Sequence, residues 1–191
     1  MAKKQLAALG RPDLATYRAR AKTPFVLVLD NVRSAANVGA AFRTADGFAL
    51  RHLYLCGITA QPPHREILKT AIGATESVDW TYATDTSTLL RELRTQGYRT
   101  VGVEQTTDAV SLLDFELETD APYAFVLGNE VQGVSDAALA ECDVALEIPQ
   151  FGTKHSFNVA VCGGMILWEA FRQLTQSKKQ QVGSAERGWR R

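Results

Sequence analysis

The chain has 191 residues, 46% of them hydrophobic and 22% charged, with 21 Lys and Arg against 21 Asp and Glu. This is the composition of one ordinary globular domain, long enough to bury a core. No apolar run reaches the roughly 20 residues that span a bilayer, and the basic start MAKKQLAALGRPD lacks a signal-peptide core, so the expectation is a cytoplasmic protein outside any membrane.

In chain order, residues 11–22 predict a small basic helix. Phe25–Leu29 (FVLVL) is a continuous apolar run, as in a strand covered on both faces. Helical spacing follows over Ala35–Phe48, then a strand over Leu53–Cys56 and a short helix over Glu66–Ile72. Alternation predicts a strand over Glu76–Tyr82, followed by a helix over Thr86–Thr95 and a strand over Thr100–Glu104. Thr106–Ala121 reads as an acidic loop. Two more strands, Tyr123–Leu127 and Val144–Ile148, flank a helix at Ser135–Glu141. The last helix runs from about Asn158 to Leu174, and from Ser177 the chain reads as a polar tail. Strands alternating with helices predict an α/β fold, a mostly parallel sheet sandwiched by helices.

Charge is divided along the chain. Residues 1–24 carry six bases and one acid, residues 169–191 six bases and two acids, and residues 25–168 nine bases and 18 acids. Basic ends on an acidic body suit phosphate contacts, or simply solubility. Cys56, Cys142 and Cys162 are far apart, with no CxxC and no Cys/His cluster. That argues against a disulfide framework and a structural zinc site, and predicts buried free thiols and no metal.

Three loops follow predicted strands, where ligands of α/β sheets sit. In the first, Asn37 and Gly39 stand at a helix entry and Arg43 six residues beyond Asn37. The plain alternative makes Asn37 a cap and pairs Arg43 with Asp46 on the surface. The second loop, Gly128-Asn129-Glu130 with Gly133, exposes backbone groups able to hold a polar ligand. The third contains Pro149, Gly152, Lys154, His155, Ser156 and Asn158, and Ser156 or Asn158 is also a fitting helix cap. His155 has no acid in its motif to orient it and is set aside as a base. Gly163-Gly164 in an apolar helix implies close packing there, by a partner chain or by the same core. Neither GxGxxG nor a P-loop occurs, which excludes the common nucleotide fingerprints.

Together these loops resemble the SpoU/TrmH branch of the SPOUT methyltransferases. NVGAAFR resembles the first motif, Asn-x-Gly-x-x-x-Arg; LGNEVQGVS the second; and IPQFGTKHSFNVAV the third. The resemblance covers roughly residues 24–173 and departs from the family at Gln150 (for Met), Phe157 (for Leu) and Ala160 (for Ser). It implies a basic extension over 1–23, a methyltransferase domain over 24–175 with a deep trefoil knot at about 123–170, and a basic tail over 176–191. The family's common appended RNA-binding domain has no room in this length, which suggests a compact member.

The resemblance further implies S-adenosylmethionine as methyl donor, an obligate homodimer, and transfer to a ribose 2′-OH of RNA, tRNA in preference to rRNA. By motif match, Gly102, Glu104, Leu127, Gly128, Asn129, Glu130, Gly133, Ile148, Ser156, Phe157 and Asn158 would line the cofactor pocket. Arg43, Asn37, Glu130, Ser156 and Asn158 would form the reaction site, built across the dimer interface in relatives. Arginine keeps its proton, so Arg43 would act as an electrostatic clamp on phosphate or the 2′-oxygen. A non-catalytic RNA-binding or assembly protein on the same fold is the alternative.

Overall fold

Both faces of the Phe25–Leu29 run need cover, and the chain supplies it by placing this strand near the middle of a sheet. The computed structural model describes residue 3 and residues 5–188. After a 3-10 turn at Leu6–Leu9 come α1 (Leu14–Ala19), β1 (Thr23–Asp30), α2 (Ala35–Gly47), β2 (Leu50–Cys56), α3 (Arg65–Ala71), α4 (Ala74–Ser77), β3 (Trp80–Ala83) and α5 (Thr86–Thr95). Then follow β4 (Arg99–Val103), β5 (Val110–Ser111), β6 (Tyr123–Leu127), α6 (Asp136–Leu139), β7 (Val144–Glu147) and α7 (Val159–Gly188).

The seven strands lie in the order β3-β2-β1-β6-β4-β7-β5, and every neighbouring pair is parallel. Parallel pairing requires crossovers, which the helices provide. Period-two alternation divides the core. Phe25, Leu27, Leu29, Phe125 and Leu127 face one helical layer, with α2 and α7. Val26, Val28, Ala124 and Val126 face the other, with Leu89, Leu90 and Leu93 of α5 and Ala138 of α6. Each buried large apolar side chain contributes roughly 1.5–3 kcal/mol. Since all strands point the same way, their carboxyl ends share one edge: Leu29 is level with Leu127, and Val103 with both Leu127 and Leu146.

The alternation over Glu76–Tyr82 misleads. Residues 74–77 form a helical turn instead, closed by Val78 N–H donating to the Ala74 carbonyl at 3.0 Å and by the Ser77 hydroxyl donating to Asp46 at 2.5 Å. Val78 is buried in the core, and the strand begins only at Trp80. The acidic loop contains the two-residue strand β5, which pairs with β7. The final helix passes Leu174 and continues to Gly188. The Arg172–Gln176 and Thr175–Phe171 hydrogen bonds support that extension, and the Lys and Gln beyond Ser177 are good helix formers. The last residues of the expected tail, 189–191, lie outside the described residues.

The basic N-terminal segment folds back on the domain. Buried Tyr17 of α1 donates its hydroxyl to the Asp46 carbonyl at 2.8 Å, and Arg18 donates to the Glu76 carbonyl. Among the described residues no helix is long and apolar enough to cross a membrane.

Candidate functional site

Three loops converge at the carboxyl edge of the sheet: 31–34 after β1, 128–135 after β6 and 148–158 after β7. Glu130 joins the first two. Its carboxylate accepts hydrogen bonds from the backbone N–H groups of Arg33 and Ser34, both at 3.2 Å, and from the Asn37 amide at 3.1 Å. Asn158 joins the third: its Nδ2 donates to Asn37 Oδ1 at 3.1 Å, while its Oδ1 accepts from the N–H groups of Ala160 and Val161. Asn158 therefore caps α7 and still reaches the first motif. Asn37 is not the cap of α2; Ser34 is, accepting from Asn37 N–H at 3.3 Å.

Burial by itself would raise the Glu130 carboxyl. The bonds from its own backbone N–H, from Asn37 and from Arg33 and Ser34 outweigh it and hold the group below its ordinary value. Glu130 is thus an ionised brace for the start of α2.

A second brace lies beneath. Asp30, fully buried, accepts from Thr86 Oγ1 at 2.6 Å, Asn31 Nδ2 at 2.8 Å and Ser135 N–H at 2.8 Å. Asn129 donates to the Asn31 carbonyl and accepts from the N–H groups of Val131 and Gln132. Glu104 accepts from the N–H groups of Val134 and Gln105, both at 2.9 Å. Glycine is favoured at Gly133 on two grounds, its left-handed backbone (φ +71°) and the Glu104 carboxylate that a Cβ there would displace.

These loops enclose a cavity of about 520 Å³, within the range of roughly 300–1,000 Å³ for small-molecule sites. Glu104, Leu127, Gly128, Asn129, Glu130, Gly133, Ile148, Ser156, Phe157 and Asn158 line it. Gly102 does not: it lies inside β4 with Leu139 and Cys142 against it. Val103, Gln105, Val131, Gln150, His155 and Cys162 also line the cavity. Cys162 was legible, one helical turn beyond Asn158 on the same face. Burial pushes its thiol up to about 11, so it stands there as a neutral apolar group. α7 closes over the cavity wall because Gly163 has no side chain; a Cβ would sit 2.8 Å from Leu127 Cδ1.

Arg43 does not reach this cavity. It is exposed on the far part of α2 and, among the described residues, has no hydrogen-bond or ion-pair partner. The Arg43–Asp46 pair is absent there, Asp46 being held by Ser77. Arg43 instead lines a second cavity of about 830 Å³, together with Arg11, Arg20, Lys22 and Lys178.

A family model described as the SpoU rRNA Methylase family matches residues 24–168. The chain belongs to that family. It is 33% identical over 150 residues to the 23S rRNA (guanosine-2′-O-)-methyltransferase RlmB of Neisseria meningitidis, covering 78% of this chain and 59% of that relative. This family member therefore spans less than two thirds of that curated relative's length. Among solved structures, the A. aeolicus TrmH/SpoU tRNA modifying enzyme superposes with a TM-score of 0.76 at 26% identity, covering 86% of this chain and 84% of the other. The AdoMet-bound rRNA methyltransferase from Sinorhizobium meliloti gives 0.74 at 27% identity, covering 83% and 60%.

Proposed function

We propose that this chain transfers a methyl group from S-adenosylmethionine to a ribose 2′-OH of RNA. The single observation that carries this reading is the Glu130–Asn37–Asn158 chain of hydrogen bonds, which holds all three motif loops together at the mouth of a ligand-sized cavity. The expected preference for tRNA gives way to ribosomal RNA. The family model, the Neisseria relative and the Sinorhizobium meliloti structure carry rRNA in their names, while the A. aeolicus structure carries tRNA.

The cavity fits the donor. Val103, Leu127, Leu146 and Val159 offer apolar walls for an adenine ring, and the strand ends at Gly128 and Ile148 offer backbone polar groups for its edge. S-Adenosylmethionine held there supplies an electrophilic methyl group on a cationic sulfur. Ser156, exposed and without a hydrogen-bond partner among the described residues, is free to orient the ribose hydroxyl at the cavity mouth. Asn37 and Asn158 fix the loops around it, and positioning of this kind lowers such barriers by several kcal/mol.

The Arg43 guanidinium stabilises charge on the 2′-oxygen or on a neighbouring phosphate. Because it faces a different cavity from Ser156, we infer that it acts on the site of a second copy. The exposed face of α2 and α7 suits that role: Phe48 packs on Phe171 (5.6 Å) and Trp168 (6.4 Å), Trp168 is 57% exposed, and Gly164 is open. An apolar face of this kind marks an interaction site. We also infer the trefoil knot over 123–170, supported by the insertion of β6 between β1 and β4 and by the neighbour structures.

The test is methyl transfer from labelled S-adenosylmethionine to unmodified total RNA, separated by size and digested to nucleosides, with Arg43→Ala alongside. A 2′-O-methylnucleoside from the large ribosomal RNAs, lost in the variant, is expected. Label in the tRNA fraction would restore tRNA as the target, and no label in any RNA would overturn the reading.

A further inference from the structure

The loop from Gln150 to Asn158 joins β7 to α7, and every residue from Phe151 to Asn158 is exposed. Within it Phe151 is 97% exposed, the most exposed large hydrophobic residue among those described. At that exposure the phenyl ring contributes nothing to the core and both of its faces are open to a ligand. Its loop is nonetheless placed, since Gln105 Nε2 donates to the His155 carbonyl at 3.1 Å, and Gln150, His155, Ser156 and Phe157 of the same loop line the small cavity. Phe151 follows Gln150, which lines that cavity, and stands on the segment that carries Ser156.

Lys154 and His155 share the loop with the ring. Both are exposed, and neither side chain has a partner among the described residues. A bare aromatic face beside an unpaired cation is the combination that holds unpaired nucleotides, the base stacking on the ring and the phosphate meeting the charge. A second copy of the chain is the poorer occupant of this ring, because contacts between copies are depleted in Lys and α7 offers a copy the exposed Val161 and Trp168.

We propose that Phe151 is a stacking platform for an unpaired base next to the reacting ribose, with Lys154 on the adjoining phosphate. The inference rests on the RNA reading above. It makes the loop a specificity element that selects single-stranded over paired RNA.

The experiment measures binding of the full-length protein to a single-stranded RNA of about 12 nucleotides and to an abasic strand of equal length. Wild type is expected to bind the base-bearing strand roughly tenfold tighter or more. Phe151→Ala should remove that preference, leaving affinity for the abasic strand, affinity for S-adenosylmethionine and mass in solution unchanged. Phe151→Trp should keep the preference, and Phe151→Leu, apolar but not aromatic, should lose it. If Phe151→Ala weakens both strands equally, weakens neither, lowers cofactor affinity or alters the mass, the platform is overturned while the RNA reading stands. If wild type binds neither strand, the RNA reading falls and the platform with it.

Discussion

Asn37 and Asn158, 121 residues apart in the chain, meet through one hydrogen bond of 3.1 Å from the Asn158 amide to the Asn37 carbonyl oxygen. The direction of that bond is fixed from the other end. Glu130 can only accept, so Asn37 turns its NH₂ toward Glu130 and its oxygen toward Asn158. Replacing Asn158 by Asp keeps the acceptor that caps α7 and removes the donor. Asn158→Asp is expected to leave the melting temperature nearly unchanged and to lower kcat/KM by on the order of ten- to a hundredfold, from the loss of one bond and the opposition of two acceptors. Asn37→Asp, which opposes the Glu130 carboxylate, should lose as much. Steady-state methyl transfer beside thermal unfolding checks both.

Acid should release the same brace. The folded-state value of Glu130 lies below its ordinary 4.5. The stability it contributes is therefore fully present above that pH and lost as pH falls through the depressed value. Asp85, the α5 cap, behaves alike, lowered from 3.8 to about 2 by the Thr88 and Ser87 side chains and the Thr88 N–H. Glu130→Gln and Asp85→Ala are expected to melt below wild type at neutral pH, with the gap closing as pH falls below 4.5 for the first and between 3.8 and about 2 for the second. A gap constant with pH would contradict the ionic bracing.

Much of this was legible in the sequence, for identifiable reasons. FVLVL had to be a central strand because no half-exposed strand is apolar at every position. The loops were legible because Asn37 and Asn158 are polar at helix entries and Glu130 is polar in the glycine-bounded turn after β6. Residues 74–77 were missed because a helical turn carrying one buried Val78 imitates strand alternation. The separation of Arg43 from Ser156 could be suspected from the six-residue spacing to Asn37, but only the fold shows that it faces a different cavity. Gly102 illustrates the converse: a motif neighbour in sequence turns inward because strand alternation points it at Leu139.

The glycine pair of α7 separates the two packing partners that its sequence left open. Gly163→Ala pushes on Leu127 Cδ1, the tip of a flexible side chain that lines the small cavity. Helix propensity returns about 1 kcal/mol, so the variant should fold stably yet bind S-adenosylmethionine more weakly. Gly164 meets nothing within 4 Å in its own chain. Gly164→Leu should spare cofactor binding and split the pair of copies, read as a halved mass in solution and lost methyl transfer. An unchanged mass would move the interface off α7.

The cavity around Arg43 sets the last expectation. Arg11, Arg20, Lys22, Arg43 and Lys178 line about 830 Å³ and form no ion pair among the described residues; the three acids of the same lining are Asp13, Asp46 and Glu76, of which Asp13 and Asp46 accept hydrogen bonds from Thr16 N–H and the Ser77 hydroxyl. An excess of cations in a cleft attracts a polyanion, and each phosphate contact adds roughly 0.7–0.9 to the slope of log affinity against log salt. Replacing Arg11, Arg20 and Lys178 together by Ala should weaken RNA binding and flatten that slope by about 2. Cofactor affinity should hold, because none of the three lines the smaller cavity. Arg43 is left intact in that variant, so methyl transfer at saturating RNA should persist. If saturating RNA fails to restore turnover, the cleft serves the reaction itself and not the capture of its substrate.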